Sequence, residues 1–94
     1  MREGKTKSGF DYAIDERIGK DWRLANMIAI SESEDADASE KLKASSDMFH
    51  LILGKDGVKK LEEHVASNND GFVPMDVMKN ELLEIIKSLN ETKN

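Results

Sequence analysis

Lys7-Ser8-Gly9-Phe10-Asp11-Tyr12-Ala13-Ile14-Asp15 is the stretch on which the reading of the fold turns. Ser8-Gly9 is a turn signal, with Gly supplying the positive φ that tight turns need. Phe10, Tyr12 and Ile14 then alternate with Asp11 and Ala13, the period of a half-buried strand. Asp15 stops the strand and can cap the next element. Residues 1–6 are polar; they either fray or pair with 10–14 to complete a hairpin. An isolated hairpin is marginal in water, so this one must lie on the rest of the chain.

Everything after Asp15 reads as short helices. The first is expected over about 20–30, after a turn at 15–18. Trp22, Ala25 and Ala29 share one face, with Leu24 and Ile28 beside it. Gly19 argues against one long helix here. Residues 31–39 alternate Ser with acid and have no apolar period, so they read as a solvated, flexible acidic loop. A second helix is expected over 39–53, with Ser39 as N-cap, Glu40 in the first turn and Gly54 as the stop. Its apolar face is Leu42, Phe49, Ile52 and Leu53, with Met48 flanking it. A third helix over 56–66, capped by Asp56, carries Val58, Leu61 and Val65. Asp70-Gly71 is a sharp turn signal. Pro74 suits the start of a fourth helix. There Met75, Met78, Leu82, Ile85 and Leu89 recur at steps of three and four, broadened by Leu83 and Ile86. Asn90 is its expected end, with 91–94 a frayed tail. The expected fold is mainly α: about four short helices with a small N-terminal β-hairpin. Trp22, Phe49, Leu53, Leu61, Leu82 and Ile85 are the expected core.

Ninety-four residues make one domain, residues 1–94. Such a chain buries only about two-thirds of its unfolded surface, so its margin of stability is small. The 38% hydrophobic and 35% charged composition fits a globular helical domain. With no Cys, there can be no disulfide, thiolate nucleophile or Cys-ligated zinc. No apolar run approaches the roughly 18 residues of a transmembrane helix. The N-terminus lacks the apolar centre of a signal peptide. A cytoplasmic protein with no membrane partner is expected. The net charge of −5 sits in one place. Residues 31–40 hold Glu32, Glu34, Asp35, Asp37 and Glu40 with no base, and the remainder is close to neutral. No basic stripe can track phosphates, so nucleic acid is not an expected partner.

Motifs for chemistry are weak. Asn68, Asp70 and Gly71 match positions 3, 5 and 6 of a calcium loop, but Ala66 and Val77 stand where carboxylates are required. A helix–turn–helix connection with Phe72 and Val73 tucked into the core is the better reading. His50 and His64 lack the converging ligands or orienting acid of a metal or catalytic site. Ser8-Gly9 lacks the G-x-S-x-G context of a nucleophile elbow, and neither a phosphate loop nor a dinucleotide fingerprint is present. The chain is expected not to be an enzyme and to use no cofactor or metal. Met48, Met75 and Met78, on the outer edges of the second and fourth helices, are the candidate partner-binding residues, because flexible thioethers adapt to varied surfaces. Gap-filling in the core is the competing use.

The ordered series Thr6, Ser8, Gly9, Phe10, Ile14, Asp15, Asp21, Trp22, then Ile52-Leu53-Gly54, Lys60-Leu61 with His64, Asp70-Gly71 with Val73, and Leu82 with Glu84-Ile85 resembles the small tail-assembly chaperone-type proteins of siphophages and prophages of Gram-positive bacteria. The likeness spans most of residues 5–90. Pro74 departs from it where a Ser-like cap is expected, and the 31–40 loop is richer in Ser and Asp. The resemblance implies a non-enzymatic chaperone that binds the tape-measure protein, with the tail-tube protein as a second partner, and a longer frameshifted form in many members. A homo-oligomer is compatible with it, since a marginal core gains by burying more apolar area. The alternative is a small phage or prophage regulatory or anti-host protein acting by protein–protein binding.

Overall fold

The computed structural model describes residues 1–90; the expected frayed tail, 91–94, lies outside the described residues. Strand β1 (Arg2–Lys5) pairs antiparallel with β2 (Asp11–Ile14), with Gly4 opposite Tyr12 and Arg2 opposite Ile14. The two readings of the N-terminus thus resolve in favour of the hairpin. Thr6 N–H donates to Phe10 O and Gly9 N–H to Thr6 O, both at 2.9 Å, and Gly9 takes φ 98°. This is a three-residue loop closed by a glycine bulge, the role the Ser8-Gly9 signal indicates. The alternation holds: Phe10 and Ile14 are buried and Tyr12 half-buried, while Asp11 and Ala13 face solvent.

A 3₁₀ turn (Glu16–Lys20) follows, capped by Asp15, whose side chain accepts from Arg17 N–H. Asp21 caps α1 (Trp22–Glu32) in the same way through Arg23 N–H. The acidic connection is shorter than expected. Helix α1 runs on to Glu32, and α2 (Ala38–Asn68) begins before the sequence suggests. Its cap is Asp37, not Ser39. Asp37 Oδ1 accepts from Glu40 N–H at 2.8 Å, and Glu40 Oε1 accepts from Asp37 N–H at 2.9 Å. That reciprocal pair satisfies two of the donors a helix start leaves open.

Helix α2 contains both the second and the third expected helices. They meet at Gly54, which has φ 75° and ψ 170°, outside any helical region. Helix propagation stops there, as the C′ glycine reading requires, and resumes at once, without the gap expected before Asp56. The far end closes through Gly71 N–H to Ala66 O at 2.7 Å, with Asp70 at φ 56° and Gly71 at φ 86°. That bond is the six-to-one closure of a Schellman end. Helix α3 (Met75–Asn90) then starts directly after Pro74.

Helix α1 packs on α2, the hairpin lies on α2, and α3 closes the body against α2 and the 3₁₀ turn. The core is one cluster, with Ile14, Leu61, Ile85 and Val65 fully enclosed and Phe10, Leu24, Met48, Phe49, Ile52, Leu82 and Leu89 around them. Phe49, Leu61, Leu82 and Ile85 are buried as expected; Leu53 is half-buried at the cluster's edge.

Three expectations about the core are corrected. Trp22 is 74% exposed. The buried side of α1 is Leu24 with Met27 and Ile28, opposite the Trp22–Ala25–Ala29 face. Leu42 and Leu83 also face solvent. Phe72 is outside the core, and only its neighbour Val73 packs inward.

Candidate functional site

The turn between the strands carries a polar cluster that reaches α2 and α3. Thr6 Oγ1 donates to Glu81 Oε1 at 2.7 Å, and Ser8 Oγ donates to Glu81 Oε2 at 2.8 Å. Glu81 is only 4% exposed, so its carboxylate needs those two donors. Ser8 Oγ also lies 3.0 Å from His64 Nε2, and Phe10 N–H donates to Thr6 Oγ1 at 3.2 Å. Lys7 N–H donates to Glu84 at 3.0 Å. The Phe10 and His64 rings sit 5.6 Å apart, so the turn rests on α2 through a tilted ring contact as well.

Each hydroxyl has one proton, and Glu81 accepts both. His64 Nε2 lies within reach of both Ser8 Oγ, at 3.0 Å, and Asn68 Nδ2, at 3.4 Å. A hydrolytic triad runs from hydroxyl to imidazole and from imidazole to carboxylate. Here the carboxylate meets the hydroxyl directly rather than through the imidazole. The arrangement fastens the turn to α2 and α3.

Two open clefts lie on the described surface. One, of about 240 Å³, lies where the hairpin meets α3, lined by Lys5, Lys7, Lys87, Glu84, Tyr12 and Ser88 among others. The other, of about 440 Å³, is bordered by the Asp15–Arg17 and Asp21–Arg23 pairs over Ile18 and Leu51. Each Arg grips the Asp two residues before it, with Nη2 at 2.6 Å and 2.8 Å from carboxylate oxygen. The guanidinium bonds hold both carboxyls down at about 2, from an ordinary value of 3.8. Among the described residues, no group of three or more His, Cys, Asp or Glu is placed to hold a metal. His50 is exposed and spends its Nδ1 on Ser46 O at 2.8 Å, far from any cluster of ligands. No helix of the described residues is long and apolar enough to cross a membrane.

The candidate contact residues separate. Met48 is 4% exposed and belongs to the core, which removes it from any contact surface of the folded chain. Met78 is half-buried against the same core. Met75 is 72% exposed, and near it in the chain lie exposed Phe72 and Leu83. The three methionines therefore make no common face. Beyond Met1, the large apolar side chains exposed among the described residues are Trp22, Leu42, Phe72, Met75 and Leu83, and all of these but Met75 are ones expected to point inward.

No family model, curated protein or solved structure matches the chain. The assignment to phage tail assembly as a chaperone is corrected on that finding: no known protein supplies a link to phage, tail assembly or chaperone work, and the ordered resemblance consists of turn and helix signals common to many helical domains.

Proposed function

We propose that this chain is a non-enzymatic protein-interaction module that binds partners through the apolar side chains its helices present to solvent. The observation that supports this reading is the exposure of Met75 and Leu83 along one flank of α3, with exposed Phe72 in the loop before the helix, beside a core that does not include them. On a helix, residues 75, 79, 83 and 86 follow one another along one edge. Met75 and Leu83 lie there with half-buried Ile86, and Lys79 stands between them. Such a flank has the spacing by which one helix receives another. Exposed apolar side chains grouped along one helix edge mark a contact surface where scattered ones do not. The partner class is a helix-bearing protein; the tape-measure and tail-tube proteins are no longer part of the reading.

Site-specific photo-crosslinking in the native cell tests it. A crosslinker at Met75 or Leu83 should yield discrete protein adducts, and one at exposed Lys59 on α2 should not. Equal, diffuse labelling at all three positions would defeat the proposal.

A further inference from the structure

The chain presents two unpartnered apolar helix faces, one ending in acid and the other with basic side chains in excess. On α1, Trp22, Ala25 and Ala29 lie on the exposed side, and the helix ends in acid: Glu32, followed by Glu34 and Asp35. None of those three carboxylates is in an ion pair among the described residues. On α3, exposed Met75 and Leu83 are accompanied by Lys79 and Lys87, likewise outside every ion pair of the described residues. Asp76 lies on that outward side too, its Oδ1 accepting from Val77 N–H, so the flank carries two basic side chains against one acidic.

The lengths match as well. At the helical rise, Trp22 to Glu32 spans about 15 Å, and Met75 to Ile86 about 16 Å. The small Ala25 and Ala29 allow a second helix to approach closely, and Trp22 supplies a large apolar side chain at one end. A free Trp of that size is what a contact surface buries first.

We infer that the outward face of α1 docks on the outward flank of α3 in a second copy of this chain. This rests on the reading of the protein as an interaction module and names one partner for its surface. Where each copy contributes one of the two faces the contact is heterologous: the copy docked through α1 keeps its α3 face free, the other keeps its α1 face free, and association is open-ended. One helix pair buries less than the ~800 Å² per partner of a standard stable interface, so the assembly is weak and concentration-dependent. Its charges meet at the rim, so it weakens as salt rises.

Two surface variants test this in the full chain. Trp22→Ser removes the α1 face, and Leu83→Glu puts a carboxylate on the α3 flank. Both residues are exposed, and circular dichroism checks that each variant folds; Met75→Glu replaces Leu83→Glu if that variant does not. Alone, each should sediment as a monomer at concentrations where the unmodified chain self-associates. Mixed, they should form a heterodimer, because each retains the face the other lacks. Trp22 is the one tryptophan of the chain, so in the mixture the emission comes only from the Leu83→Glu partner. It should shift to the blue and saturate on titration, with affinity falling several-fold at high salt. Variants that stay monomeric when mixed, or an unmodified chain that stays monomeric up to millimolar concentration, would overturn the inference. Adducts to other proteins from Met75 would then still leave the broader reading standing. Absence of those adducts, with heterodimers formed, would confine the surface to self-association.

Discussion

Ser8 Oγ and Glu81 Oε2 lie 2.8 Å apart across 73 residues of sequence, joining the tip of the hairpin to the middle of α3. The same carboxylate takes Thr6 through its other oxygen. One buried acid thus ties both ends of a tight turn to the helical body. The hairpin's two buried apolar residues, Phe10 and Ile14, supply packing, and Glu81 fixes where that packing occurs.

Removing the carboxylate should therefore loosen the hairpin before it melts the helices. Glu81→Ala leaves two hydroxyls and a cavity, at a cost of about 1–3 kcal/mol for groups left unpaired. Glu81→Gln should cost less, since one oxygen still accepts. Urea melts give the totals, and amide exchange at residues 2–14 should rise more than at residues 58–66. A loss under about 0.5 kcal/mol for Glu81→Ala would mean that the bonds contribute nothing net.

Leu82 and Trp22 separate core from surface. Leu82 is 2% exposed and Trp22 is 74% exposed. Leu82→Ala should cost about 2–4 kcal/mol, which is a large share of the stability of so small a domain. Trp22→Ala should fall within about 0.5 kcal/mol at concentrations where the chain is monomeric. A large loss for Trp22→Ala in dilute denaturant melts would place the indole in the core after all.

The legibility of each feature in the sequence depends on how local its signal is. Gly9, Gly54 and the Asp70-Gly71 pair announce positive φ, a property of one or two residues, and all adopt it. The α3 stripe is readable because its polar and apolar sides differ. Helix α1 is apolar nearly all round, so spacing does not decide which side faces inward, and Trp22 lies on the side opposite to the one expected. Phe72 misleads for a related reason, since a turn residue has no periodicity to orient it. Ser39 loses the cap role to Asp37 because Glu40 can reciprocate from three residues on. The Ser8–His64–Glu81 cluster is illegible. Its members are 56 and 73 residues apart, and each alone is an ordinary turn or helix-surface residue.

The twin Asp–Arg forks set an acid limit. Asp15 and Asp21 are each held at about 2 in the folded chain, chiefly by the guanidinium bond, against 3.8 ordinarily. A carboxyl with a depressed folded value favours folding above the unfolded value and loses that contribution as pH falls through the folded one. Stability from these groups should be constant above about pH 5 and decline between 3.8 and about 2. Both pairs face solvent, so salt should shrink the effect. Asp15→Asn with Asp21→Asn should flatten the pH dependence of thermal melting in that window. An unchanged slope would show that other carboxyls set the acid limit.

Gly54 tests whether the break in α2 is imposed by backbone or by packing. Its φ of 75° and ψ of 170° lie in a region that side-chain-bearing residues almost never enter. A Cβ there would meet nothing within 4 Å, so space is not the obstacle. Gly54→Ala should therefore cost about 1–3 kcal/mol through strain alone. Alternatively, the chain could relieve the strain by straightening α2 through the break. That would shift Val58, Leu61 and Val65 relative to Phe49 and Ile52, which share one core with them. The expected result is a lower melting midpoint with helical content unchanged. A rise in helicity with equal or greater stability would mean that the kink is a sequence accident and that the core does not depend on it.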